Sequence, residues 1–78
     1  MISTIVKETI HDLISTQYKA IATHEKQYLD LPRFNQSVSY NAKGNITQAM
    51  RFEFHEEQLQ LTLMLATGRI FMRRIEYD

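Results

Sequence analysis

Between Ile46 and Ala66 the chain reads ITQAMRFEFHEEQLQLTLMLA, alternating apolar and polar side chains on both sides of one polar break. Met50, Phe52 and Phe54 alternate with Ala49, Arg51 and Glu53. After His55-Glu56-Glu57, Leu59, Leu61, Leu63 and Leu65 alternate with Gln58, Gln60, Thr62 and Met64. Successive strand side chains point to opposite faces, so a period of two over this length predicts two half-buried strands joined by a tight turn. One face of such a hairpin is almost wholly apolar. The other segments must cover it or extend it.

The first thirty residues supply a cover. Placed at about 100° per residue, Ile2, Val6, Ile10, Leu13, Ile14, Ala20, Ile21 and Tyr28 fall within an arc of roughly 120°. Thr4, Glu8, Asp12, Ser15, Thr16, Lys19, Thr23, Lys26, Gln27 and Asp30 take the opposite side. This spacing predicts an amphipathic helix over about 3–30, capped by Ser3 or Thr4 and stopped by Pro32. Ile5 falls on the polar side as an isolated exposed residue or a partner contact. Gln17 and His24 interrupt the apolar arc. They read either as a buried pair hydrogen-bonded to strand backbone or a tyrosine hydroxyl, or as a small polar site with His24 as acid, base or ligand. The first reading is preferred.

Residues 34–40 form a further strand, with Phe34, Val38 and Tyr40 on one face and Asn35, Ser37 and Ser39 on the other. Asn41-Ala42-Lys43-Gly44-Asn45 is a hairpin loop in which Gly44 takes positive φ after a type I turn. A strand follows this glycine, where a phosphate-cradling loop usually leads into a helix. Thr67-Gly68 then turns the chain into a last strand over 69–77. Its two faces are Phe71, Arg73, Ile75, Tyr77 and Ile70, Met72, Arg74, Glu76. Apolar content does not separate them, and Phe71, Ile75 and Tyr77 are taken as inward. As the end of a simple meander this strand is an exposed edge that Arg73 and Arg74 blunt or a partner covers.

Composition narrows the function classes. At 78 residues there is room for one core, and a chain this size buries only about 60–65% of its unfolded surface. Nine basic and nine acidic residues cancel, in each half as well as overall, so a general pull toward nucleic acid or anionic membrane is absent. With no cysteine there are no disulfides, thiolate zinc sites or cysteine nucleophiles. His11, His24 and His55-Glu56-Glu57 lack metal-ligand spacing. No serine lies in an elbow motif beside a base. No cofactor, metal or catalytic constellation is therefore expected. The charged N-terminal stretch argues against a secretory leader or a membrane span, and a cytoplasmic location is the default, in a bacterium or an infected host cell.

These readings converge on one α+β domain, 1–78. A long N-terminal helix packs on a four-stranded antiparallel meander, α-β-β-β-β, with strands over about 34–40, 46–54, 58–66 and 69–77. The expected core is Val6, Ile10, Leu13, Ile14, Ile21, Tyr28, Val38, Tyr40, Met50, Phe52, Phe54, Leu59, Leu61, Leu63 and Phe71. The outer sheet face would carry Ser37, Ser39, Thr47, Ala49, Arg51, Glu53, Gln58, Gln60, Thr62, Met64, Ile70, Met72 and Arg74, a mixed surface with adaptable methionines suited to a protein interface. The expected function is a small non-catalytic protein–protein interaction module, with Arg51, Met64, Met72 and Arg74 as partner-binding residues. Its size and lack of motifs associate it with stoichiometric inhibitors and adaptors of phages and mobile elements. The partner is unidentified, and a homodimer through the last strand is also expected. The alternative is a small nucleic-acid-binding regulator using Arg51, Arg69, Arg73 and Arg74.

Overall fold

The computed structural model describes residues 3–76 and contains one helix and five strands among them. Helix α1 spans Thr4–Thr23. Strand β1 (Gln27–Leu31) leads through a single 3-10 turn, Pro32–Phe34, into β2 (Gln36–Tyr40). Then come β3 (Met50–Phe54), β4 (Leu59–Leu63) and β5 (Ile70–Arg74). The strands form two antiparallel sheets, β1-β2 and β3-β4-β5, so the fold is α+β and the expected single meander is divided.

Ser3 caps α1, its hydroxyl accepting from the Val6 N–H at 3.3 Å. The helix does not run to Pro32. His24 adopts the left-handed conformation (φ 56°), and the His24 and Glu25 N–H groups donate back to Ile21 O and Ala20 O at 3.4 and 3.3 Å. This pair of bonds closes a helix C-terminus as glycine usually does, here with histidine. The released segment Gln27-Tyr28-Leu29-Asp30-Leu31 itself alternates, with Leu29 and Leu31 toward the core and Tyr28 and Asp30 exposed. It fits a helical arc and a strand equally well locally. Pairing with β2 decides for the strand.

That extra strand also explains the division of the sheet. β2 finds its partner in β1, with Leu29 opposite Val38, and touches the next segment through a lone bridge between Tyr40 and Ile46. The 41–45 loop makes the expected turn, but the strands it was expected to join as a hairpin lie in different sheets, and β3 begins at Met50 rather than at Ile46. Gly44 has φ 80° and its N–H donates to Asn41 O at 2.8 Å. The Asn41 side-chain oxygen accepts from the Lys43 and Asn45 N–H groups at 2.9 and 3.0 Å. The His55–Gln58 turn and the turn through Gly68 also lie where expected, closed by Gln58 N–H to His55 O and Gly68 N–H to Met64 O.

The core is formed by Val6, Leu13 and Ala20 of α1, Leu31, Val38, Tyr40 and Ile46, and Phe52, Phe54, Leu61 and Leu63 of the hairpin. Ile10, Met50 and Leu59 pack against it half-buried. Four expected core members are exposed: Ile14, Ile21, Tyr28 and Phe71. Ile14 and Ile21 directly follow the buried Leu13 and Ala20, so they sit about 100° round the helix, on its flank. Tyr28 turns outward because its strand alternates. Phe34 joins the two sheets, its ring centroid 5.1 Å from those of both Phe52 and Phe54.

Candidate interaction surface

The register of the three-stranded sheet determines which side chains share a face. Arg51 lies opposite Thr62 and Thr62 opposite Phe71; Glu53 lies opposite Gln60 and Gln60 opposite Arg73. These two rows form the outer face. On the core side, Met50, Leu63 and Ile70 form one row, Phe52, Leu61 and Met72 a second, and Phe54, Leu59 and Arg74 a third.

This register corrects the expected orientation of the last strand. Phe71 belongs to the outer face and is 54% exposed, whereas Ile70, Met72 and Arg74 share the core-side face. Tyr77, also taken as inward, lies outside the described residues. The cause is the turn after β4. Met64 N–H donates to Arg69 O at 2.9 Å, and that bond sets the pairing for the whole strand. Since β5 is apolar on both parities, its own composition could not choose.

Of the four expected partner-binding residues, Arg51 and Met64 come together. Both are exposed, and both line one shallow depression with Gln48 and Leu65. Arg51 also borders a neighbouring depression formed with Arg33, Gln36, Glu53 and His55. Met72 and Arg74 are exposed on β5 but face the core side. The group is therefore split across the sheet. Phe71, which sequence reasoning assigned to the core, is the largest side chain of β5 on the outer face. Its signal would have been the turn geometry, which sets strand parity.

β5 is the end strand of its sheet. Bonds from Met64 N–H to Arg69 O and from Ile75 N–H to Gln58 O bracket the β4–β5 ladder. Because antiparallel strands alternate bonded and non-bonded pairs, Phe71 and Arg73 direct their backbone groups at β4. Ile70, Met72 and Arg74 direct theirs outward, along the free edge. Gln60, in the middle of the outer face between Glu53 and Arg73, is only 7% exposed.

Gln17 and His24 are not brought together. Gln17 Nε2 donates to Gly44 O at 2.7 Å and Thr67 O at 3.1 Å, fastening α1 to two loops. The backbone acceptors are loop carbonyls where strand carbonyls were expected. His24 is exposed at the helix end. Tyr40 is fully buried, its hydroxyl has no hydrogen-bond partner among the described residues, and burial pushes its pKa up to about 12. Among the described residues no group of three or more histidines and carboxylates is placed to hold a metal ion, and no helix is long and apolar enough to cross a membrane.

No family model matches the chain, and no curated protein or solved structure matches it.

Proposed function

We propose that this protein is a non-catalytic protein–protein interaction module, a cytoplasmic stoichiometric inhibitor or adaptor that engages its partner through β5 and the adjoining outer face. The association with phage and mobile-element accessory proteins rests on size and composition alone. One observation carries the reading: β5 ends its sheet and leaves Phe71 exposed on one face and Met72 exposed on the other. Natural proteins usually blunt or cover such an edge, and the charged residues within β5 itself are Arg73 and Arg74. An added strand would gain backbone hydrogen bonds from the edge, and flanking side chains would give it selectivity. Arg51 and Met64 extend the surface on the outer face.

The test is affinity capture from the cell that produces the protein, comparing wild type with the double variant Phe71→Glu, Met72→Glu. A partner recovered in stoichiometric amount by wild type and lost with the variant supports the reading. Equal recovery by a variant that remains folded overturns it. Arg51→Glu with Arg74→Glu asks separately whether the arginines contribute.

A second reading draws on the same side chains. Phe71 stands on the outer face between Arg69 and Arg73 in sequence, and opposite Thr62 from Arg51 in the same row, as an aromatic for stacking would among phosphate-binding cations. Glu53 on that face and the zero net charge weigh against it. Oligonucleotide binding that weakens steeply with salt would favour this reading over the first.

A further inference from the structure

We propose that the free edge of β5 pairs with β5 of a second copy, antiparallel about a two-fold axis through Met72, giving a continuous six-stranded sheet. The inference rests on the reading of β5 as the interaction edge and names its occupant. The first argument is backbone complementarity. Ile70, Met72 and Arg74 turn their N–H and C=O groups away from β4, at alternate positions along five residues. In a two-fold antiparallel arrangement centred on Met72, Ile70 faces Arg74 of the second copy and Met72 faces Met72. Arg74 then faces Ile70. Every outward-directed group of the strand meets a group directed back at it, and no other two-fold register uses all five residues.

The second argument is the side chains. In this register Arg73 lies directly opposite Phe71 of the second copy on the outer face, twice by symmetry. A guanidinium beside an aromatic ring is an attractive pair, strongest when water is excluded. Arg74 lies opposite Ile70, so no arginine is set directly against another and the long arginine stem can cover the isoleucine. The chain carries no net charge, so long-range repulsion between copies is absent, and the two arginines that each β5 brings face Phe71 and Ile70 rather than each other. Met72, 42% exposed beside Leu61 on the core-side face, gains an apolar neighbour in its own counterpart.

The test uses the full chain and a property of its sequence, the absence of cysteine. Facing residues in a hydrogen-bonded antiparallel pair have Cα atoms about 5.5 Å apart, inside the roughly 4.4–6.8 Å range that a disulfide spans. Met72→Cys should therefore oxidise readily to a covalent dimer. Arg74→Cys, whose two copies lie at opposite ends of the paired strands, should not. Equal cross-linking of the two variants overturns the register. In sedimentation at tens of micromolar, wild type should be dimeric and Met72→Pro monomeric, because proline removes an N–H that points at the edge and takes no part in the β4 ladder. A monomeric wild type overturns self-pairing. The wider reading of β5 as a docking edge is then judged independently, by the capture experiment with the Phe71, Met72 variant.

Discussion

Gln17 reaches twenty-seven residues along the chain to donate its amide to Gly44 O at 2.7 Å, and the same nitrogen donates to Thr67 O at 3.1 Å. One side chain from the middle of the helix thus holds two loops that no strand pairing connects to α1. The loop around Gly44 joins the two sheets, and the turn around Thr67 sets the register of β5. A polar residue inside an apolar helical arc is here an anchor for the loops that orient the sheet.

Replacing Gln17 by alanine should cost about 1–2 kcal/mol, since the two carbonyls lose a donor but stay near enough to water to recover part of the loss. Gln17→Glu should cost more at neutral pH, because it aims carboxylate oxygens at two carbonyl oxygens. In the folded state that carboxyl is held above its ordinary value of about 4.3, so the charge-dependent part of its penalty is absent below that pH and grows as pH rises, while the lost second donor costs the same at every pH. Urea unfolding of both variants at neutral and acidic pH measures this. A Gln17→Glu loss that does not shrink on acidification would refute the contact.

Tyr40 makes a second, independent prediction. Its hydroxyl is buried without a partner among the described residues, and its pKa is raised from 10 to about 12. The folded state therefore keeps the proton while the unfolded state releases it. The stability that depends on the neutral phenol is complete below pH 10 and is lost as pH rises from 10 toward 12, by about 2–3 kcal/mol in all. Tyr40→Phe removes both the unpartnered hydroxyl and the titration. Near neutral pH it should be as stable as wild type or up to about 1 kcal/mol more so, and its stability should fall less between pH 10 and 12. Chemical unfolding across that pH range distinguishes the two proteins.

What was legible in the sequence was local and periodic. Val6 and Leu13 mark the covered face of the helix, and Phe52 and Leu61 mark the covered face of the hairpin, because each pattern repeats within its own element. β1 was hidden because Leu29 and Leu31 fit a helical arc as well as a strand, and because His24 performs the left-handed cap that glycine would have announced. The face of β5 was hidden for a different reason. Phe71 and Met72 are equally apolar neighbours, and the choice between them is made by a backbone bond from Met64 to Arg69 across a turn. The same bond divided the expected partner surface, leaving Arg51 and Met64 where parity placed them and turning Met72 and Arg74 to the other face.

Gly44 tests how closely the loop approaches the helix. A Cβ added there would lie 2.7 Å from both Ile21 Cγ1 and Cδ1, at a φ of +80°. Gly44→Ala should therefore destabilise by about 2 kcal/mol or more, through backbone strain and the clash together. Pairing it with Ile21→Ala removes the clash and leaves the strain, so the double variant should lose less than the sum of the single losses. Additive losses in a double-mutant cycle would mean that the two residues do not meet.

Phe34 is the aromatic link between the sheets, and its replacement should show how far they depend on it. Its ring stands 5.1 Å from Phe52 at 53° and 5.1 Å from Phe54 at 78°, both favourable inclined geometries. Because Phe34 is half-buried, Phe34→Ala should cost about 2–3 kcal/mol, below the roughly 3–5 kcal/mol typical of a fully buried phenylalanine. Phe34→Leu keeps apolar volume but loses the ring pairing, and should cost about half as much. Coupling between Phe34→Leu and Phe54→Leu should reach about 0.5–1.5 kcal/mol if the edge-to-face contact contributes beyond area. Amide hydrogen exchange supplies the structural readout. In Phe34→Ala, protection should fall first in β1 and β2, which the ring ties to the hairpin, while the β3–β4 ladder keeps most of its protection. Loss of protection in all five strands together would mean that the two sheets unfold as one unit and that Phe34 is simply part of a shared core.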